Sequence, residues 1–165
     1  MKQLIIARHA KSSRDDLLVS DRDRGLSKRG KRDLIIVWDR LQNQHILPEL
    51  IFFSPAKRTK KTTLWYAKTL WVEKKEMVQK ENLYLADLEK LIEIIEAIPQ
   101  KVQRCMLVGH NPWLTELANR CGYKTTNIPT CGIAIFSYTG KCRRNFEQKK
   151  CLLKNFISPK MFKDI

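Results

Sequence analysis

Leu4-Ile5-Ile6-Ala7-Arg8-His9-Ala10-Lys11-Ser12-Ser13 opens the chain's logic. Four apolar residues in a row, two of them β-branched, read as a strand buried on both faces. The polarity then changes abruptly. Arg8 to Gly25 is rich in Asp, Ser and Arg and reads as a loop. A buried strand running straight into a polar, cationic loop is the start expected of an α/β unit whose ligand site lies at the strand's carboxyl end.

Working outward, the same alternation recurs. Ser27 is placed to cap a helix running to about Asn43, with Leu34, Ile35, Trp38 and Leu41 as its apolar face. Leu50 to Phe53 reads as a second strand. Ser54 as cap and Pro55 at the first helical position predict a helix through about Leu70. Met77 to Asn82 reads as a short strand. Asp87 caps a helix bearing Leu88, Leu91, Ile92, Ile95 and Ile98, ended by Pro99. Cys105 to Val108 is a further buried strand, Asn111-Pro112 opens a helix to about Cys121, and Ile133 to Tyr138 is another strand. Lys141 to Ile165 predicts one or two edge strands and a tail. Strands alternating with helix-length crossovers imply an α/β fold, a three-layer sandwich with a mostly parallel central sheet flanked by helices. The expected organisation is a single domain over 1–165, with a basic C-terminal segment 141–165.

Composition narrows the function classes. The 165 residues are 43% hydrophobic and 30% charged, an ordinary globular balance. The net charge of +15 favours anionic partners without choosing among them. Five cysteines in loose spacing, with no Cys-x-x-Cys, argue against a disulfide framework or a structural zinc site; the expected setting is reducing and cytoplasmic. No apolar run approaches the roughly 20 residues of a membrane helix, so no membrane insertion is expected. The first apolar run is too short for a signal peptide.

Three motifs follow three predicted strands: Arg8-His9-Ala10-Lys11-Ser12-Ser13, Ser54-Pro55-Ala56-Lys57-Arg58-Thr59 and Gly109-His110-Asn111-Pro112. In a sheet of this kind Arg8, His9, Arg58 and His110 converge on one patch. Two guanidinium forks match phosphate oxygens. A neutral imidazole attacks phosphorus, and a second, when protonated, steadies the charge. No acidic cluster or third nearby His suggests a metal. Of the three histidines in the chain, His45 alone stands outside a motif and reads as a helix-end residue.

Taken in order, these motifs resemble SixA-type phosphohistidine phosphatases of the histidine phosphatase superfamily, which also holds the cofactor-dependent phosphoglycerate mutases. The likeness spans about Lys2 to Cys121 and includes Asp21-Arg22-Asp23-Arg24-Gly25-Leu26-Ser27-Lys28-Arg29-Gly30. It implies a phosphoglycerate mutase-like fold, His9 as nucleophile, and Arg8, Arg58 and His110 holding the phosphoryl group. It also implies Arg24 at the site entrance, with Ser12 and Asn111 as substrate-binding residues, and neither metal nor cofactor. Ala10 stands where the wider superfamily has Gly, as in the SixA-like branch, and Gly25 where Pro is frequent. Leu85, in the region where larger relatives carry a catalytic glutamate, cannot donate a proton. The implied substrate is a phosphorylated protein, a phosphotransfer or phosphocarrier protein, met by a monomer.

Two other readings compete with it. One is a small-molecule phosphomonoesterase of the same superfamily. The other is a non-catalytic module binding nucleic acid or an anionic surface through the eight cations and two acids of Lys141 to Ile165. No nucleic-acid motif accompanies that run, so nucleic acid is not the expected partner. The helix face Arg58, Lys60, Lys61 and Lys68 reads as one that steers an acidic partner or is solvated.

Overall fold

The computed structural model describes residues 2–15, 18–42, 46–139, 146 and 151–162. Six strands form one sheet: β1 (Lys2–Arg8), β2 (Leu50–Phe53), β3 (Met77–Gln79), β4 (Arg104–Gly109), β5 (Ile133–Tyr138) and β6 (Cys151–Ile157). Their spatial order is β3-β2-β4-β1-β5-β6. β3, β2, β4 and β1 pair in parallel, whereas β5 runs against both β1 and β6. β5 is thus the one reversed strand, and the expected mostly parallel sheet is observed.

Side chains alternate along the pleat and feed two cores. Leu4 and Ile6 of β1, with Cys105 and Leu107 of β4, face helices α3 (Leu88–Glu96) and α4 (Trp113–Arg120). Ile5 and Ala7, with Met106 and Val108, face α1 (Lys28–Gln42) and α2 (Lys57–Thr69). Both faces of the central strands are covered, which explains their unbroken apolar runs.

Several expectations shift by a few residues for identifiable reasons. On α1 the buried apolar side chains are Leu34, Val37 and Leu41, while Ile35 is 55% exposed. The inward stripe follows i, i+3 and i+7, and Ile35 lies a hundred degrees off Leu34. Trp38 is half-buried and meets Trp65 of α2 edge-on, ring centres 6.1 Å apart. α2 begins at Lys57 and not at Pro55, because Ala56 keeps an extended backbone (φ −57°, ψ 138°). Ser54 therefore caps no helix. The strand expected over Met77 to Asn82 stops at Gln79, and a 3₁₀ turn at Glu81–Leu83 follows, burying Leu83. α4 starts at Trp113, with Pro112 at its N-cap. Asp87 caps α3 as expected, accepting from the Lys90 N–H at 2.8 Å.

Among the described residues, the basic end of the chain holds an edge strand, β6, and a 3₁₀ turn at Pro159–Phe162. Phe146 is buried edge-on against Tyr138 with ring centres 5.4 Å apart, so this segment contributes to the core as well as to the charge. Cys105, Cys121, Cys131 and Cys151 carry free thiols. Cys142, His45 and the end of the helix expected at Asn43 lie outside the described residues. Among the described residues, no helix is long and apolar enough to cross a membrane.

One contact ties the first helix to the loop after β1. The Ser27 N–H donates to the Lys11 carbonyl at 2.9 Å, and the Ser27 hydroxyl caps α1 by accepting from the Gly30 N–H at 3.0 Å. A Cβ at Gly30 would lie 2.2 Å from the Lys11 oxygen. Only glycine admits this approach. Gly30→Ala is therefore expected to cost about 1–3 kcal/mol through overpacking. A thermal melt should show a fall of roughly 3–10 °C; an unchanged melt would mean that the loop yields freely.

Candidate active site

Three strands end side by side, and each delivers a polar residue one step beyond its last paired position. His9 follows β1, Ser54 follows β2 and His110 follows β4. The backbone locks them together: the His9 N–H donates to Gly109 O at 3.1 Å, the Ser54 N–H to Val108 O at 3.2 Å, and the Cys131 N–H to His9 O at 3.2 Å. Arg58 enters from the first turn of α2. The sequence thus brings Arg8, His9, Arg58 and His110 to one cavity of about 290 Å³. Arg24, Ser12 and Asn111 line the same cavity.

The tautomers follow from the partners. His9 Nδ1 lies 2.8 Å from the Ala10 carbonyl, which only accepts, so Nδ1 carries the proton. Its Nε2 lone pair is left to accept from Arg58 Nε–H at 3.2 Å. His110 shows the opposite arrangement. Its Nδ1 sits 3.3 Å from an Arg58 guanidinium nitrogen, which only donates, so the proton is on Nε2, 2.8 Å from the Ser54 hydroxyl. The two rings are tilted by 56° with centres 5.1 Å apart. Arg58 therefore holds one bare imidazole nitrogen of each histidine.

Electrostatics reinforce this state. Burial above all lowers the His9 pKa from 6.5 to about 3, against the Ala10 carbonyl that raises it, with His110, Arg58 and Arg8 lowering it further. Burial, then Arg58 and Arg8, brings His110 to about 3. Arg8 is lowered by burial and by the Arg58 charge. Cations this close repel one another until an anion enters. Arg8 donates to Ile128 O at 2.7 Å and Asn127 Oδ1 at 3.1 Å. Asn111 donates to the same two acceptors at 3.0 and 2.8 Å. Among the described residues the buried Arg8 Nε has no hydrogen-bond partner.

Some residues of the site are not apparent from the sequence. Asp21 accepts from Arg58 at 2.8 Å, from Arg24, and from the Tyr84 hydroxyl at 3.1 Å. Tyr84 in turn stands edge-on to His110, ring centres 5.7 Å apart. Within Asp21-Arg22-Asp23-Arg24 nothing marks one aspartate as the counter-ion of a residue 37 positions away. Ser54 reads as a helix cap but serves His110. Thr62 accepts from the Ala10 N–H at 3.0 Å and donates to the Arg58 carbonyl at 2.8 Å, fastening α2 to the His9 loop. Arg58 is 7% exposed and belongs to the cavity, not to an outer face shared with Lys60, Lys61 and Lys68.

No protein-family model matches the chain. It is 28% identical over 151 residues to an uncharacterised chloroplastic protein of Arabidopsis thaliana, covering 84% of this chain and 67% of that one. Its structure is similar to a protein of Agrobacterium tumefaciens described as a phosphohistidine phosphatase SixA, with a TM-score of 0.81 and 26% identity over 96% of this chain and 98% of the other. The protein histidine phosphatase SixA complexed with tungstate superposes with a TM-score of 0.81 at 19% identity, over 98% and 99% of the two chains.

Two outcomes follow from the geometry. Unfolding returns both imidazoles to about pKa 6.5, so the unfolded chain binds more protons between about pH 3 and 6.5. Stability is expected to fall as pH drops through that window. Denaturant titrations of His110→Asn should show a shallower fall than the wild type, and an equal slope would contradict neutral burial. Because Asp21 competes for the Arg58 donors, Asp21→Asn should bind inorganic phosphate several-fold more tightly, read by calorimetry. Weaker binding would mean that Asp21 serves only to hold Arg58 in place.

Proposed function

Taking as premise that the chain belongs to the histidine phosphatase superfamily and shares the fold of SixA, we propose that it is a protein phosphohistidine phosphatase working through a phosphoryl group carried on His9. The observation that carries this reading is the His9 Nε2 lone pair. It belongs to a residue lining the cavity, is fixed by the Nδ1–H bond to Ala10 O and accepts from the Arg58 Nε–H.

In the first step Nε2 attacks phosphorus. The new N–P bond forms as the bond to the leaving nitrogen breaks, and that imidazole takes a proton from solvent. His9 is then a phosphorylated imidazolium whose Nδ1–H still rests on the Ala10 carbonyl. Arg58 exchanges its contacts with His9 and Asp21 for phosphoryl oxygens, and the Arg8 guanidinium adds its positive charge beside them. His110, next to a dianion, takes up a proton at Nδ1 and donates to it. In the second step water adds to phosphorus and the N–P bond breaks. One water proton stays on phosphate, and the other returns to solvent.

The leaving group sets the substrate class. Leu85, in the region where an acid would stand, is 78% exposed and apolar, and Asp21 makes every contact as an acceptor. An alkoxide needs a proton donor far more than an imidazole does. Phosphoramidates are therefore the preferred substrates, and the open mouth suits a side chain presented on another protein. We also infer that the whole of 1–165 acts as one domain, without metal or cofactor.

The test is phosphate release from a phosphohistidine-bearing protein without added metal. Wild type should release phosphate, and His9→Ala should fall by at least about 10³-fold. Glycerol phosphate should turn over at least about 10²-fold more slowly. Equal activity of His9→Ala would remove the nucleophile, and equal rates on glycerol phosphate would remove the leaving-group argument.

A further inference from the structure

The positive charge is not spread evenly. α1 exposes Lys28, Lys31 and Arg32, and α2 exposes Lys57, Lys60, Lys61 and Lys68. None of these seven has an ion-pair partner among the described residues. Of the acids on these helices Asp33 is buried beside Arg29 at 3.5 Å, which leaves Asp39 exposed. On the other side of the sheet α3 carries Glu89, Glu93 and Glu96 against Lys90. Among the four helices, the excess of cations therefore belongs to the α1–α2 layer of the sandwich.

Apolar side chains stand in the same stripes. Helical spacing puts Ile35 in line with Lys28, Lys31 and Arg32, and Leu64 in line with Lys57, Lys60, Lys61 and Lys68. Ile35 is 55% exposed, Leu64 50% and Trp71, just past α2, 89%. Beside Leu64 a groove of about 460 Å³ opens, with Phe53, Val72 and Met77 inside and Lys60 and Lys68 among its lining residues.

We propose that the α1–α2 face docks the chain peripherally on an anionic lipid bilayer. Cations match phosphate and carboxylate headgroups, while an exposed Trp and scattered aliphatic groups suit the interfacial region. An apolar groove with lysines at its lining fits an acyl chain beneath an anionic headgroup. Duplex nucleic acid would use the cations but gains nothing from Ile35 or Leu64. Since Arg58 enters the cavity from the first turn of α2, docking by this face holds the phosphoryl site near the membrane surface. This inference stands apart from the proposed reaction.

The full chain is to be sedimented with vesicles of phosphatidylcholine, with and without phosphatidylserine. Binding is expected only with phosphatidylserine, weakening as salt rises. The triple variant Lys60→Glu, Lys61→Glu, Lys68→Glu should bind at least about tenfold less, and Lys→Gln at the same positions gives a milder version should charge reversal impair folding. Leu64→Ser with Trp71→Ser should weaken binding while leaving its salt dependence. A thermal melt shows that each variant is folded, and turnover of a small phosphoramidate is expected to be unchanged. No binding to phosphatidylserine vesicles at low salt overturns the proposal. So does equal or tighter binding to duplex DNA, or to an acidic protein, that is indifferent to Leu64 and Trp71.

Discussion

Two guanidinium groups and two imidazoles share one cavity at the carboxyl edge of a single sheet, and most of the local architecture answers that constraint. Burying cations side by side is costly unless an anion is near. Asp21 supplies one, and it reaches Arg58 from a loop that the Ser27–Lys11 and Gly30–Ser27 contacts hold against the strand end. The histidines respond by staying neutral, each presenting a bare nitrogen to Arg58. The resulting site is poised for a small dianion: donors are assembled, the lone pair of His9 is aimed, and the internal carboxylate can give way to a better-charged ligand.

The sheet explains why these groups meet. β1, β2 and β4 are neighbours in space although far apart in sequence, and all three run the same way. Residues just past their ends therefore fall on one line. Such an edge needs only one residue type from each strand, with α2 bringing in Arg58. Loops then set access. Leu85 adopts a left-handed backbone (φ 58°) at the cavity's lining, an uncommon conformation for a residue of its kind. Its apolar side chain is 78% exposed beside the cavity mouth.

What could be read from the chain follows from how local each signal is. Runs such as Leu4 to Ala7 and Cys105 to Val108 declare buried strands through their own composition. Gly109-His110 and Arg8-His9 are conspicuous because they follow such runs directly. Asp87 reveals itself as a cap because its partner, Lys90, lies three residues on. Asp21, Ser54 and Tyr84 could not be identified in this way. Their partners lie 37, 56 and 63 residues away, so only the folded chain defines their roles. Ser54 shows the hazard best: Ser-Pro before a helical pattern reads as a cap, but the hydroxyl is committed to His110. Ile35 shows another, since apolar character does not reveal which side of a helix it occupies.

The proposed reaction passes the phosphoryl group through His9. Rapid quenching of the enzyme during turnover of a phosphoramidate, followed by peptide mapping under alkaline conditions, tests it most directly. An acid-labile phosphate is expected on His9, attached at Nε2 because Nδ1–H is held by Ala10, and absent from His9→Ala. Phosphate trapped at another residue, or turnover with no phosphorylated enzyme at any time point, would contradict it.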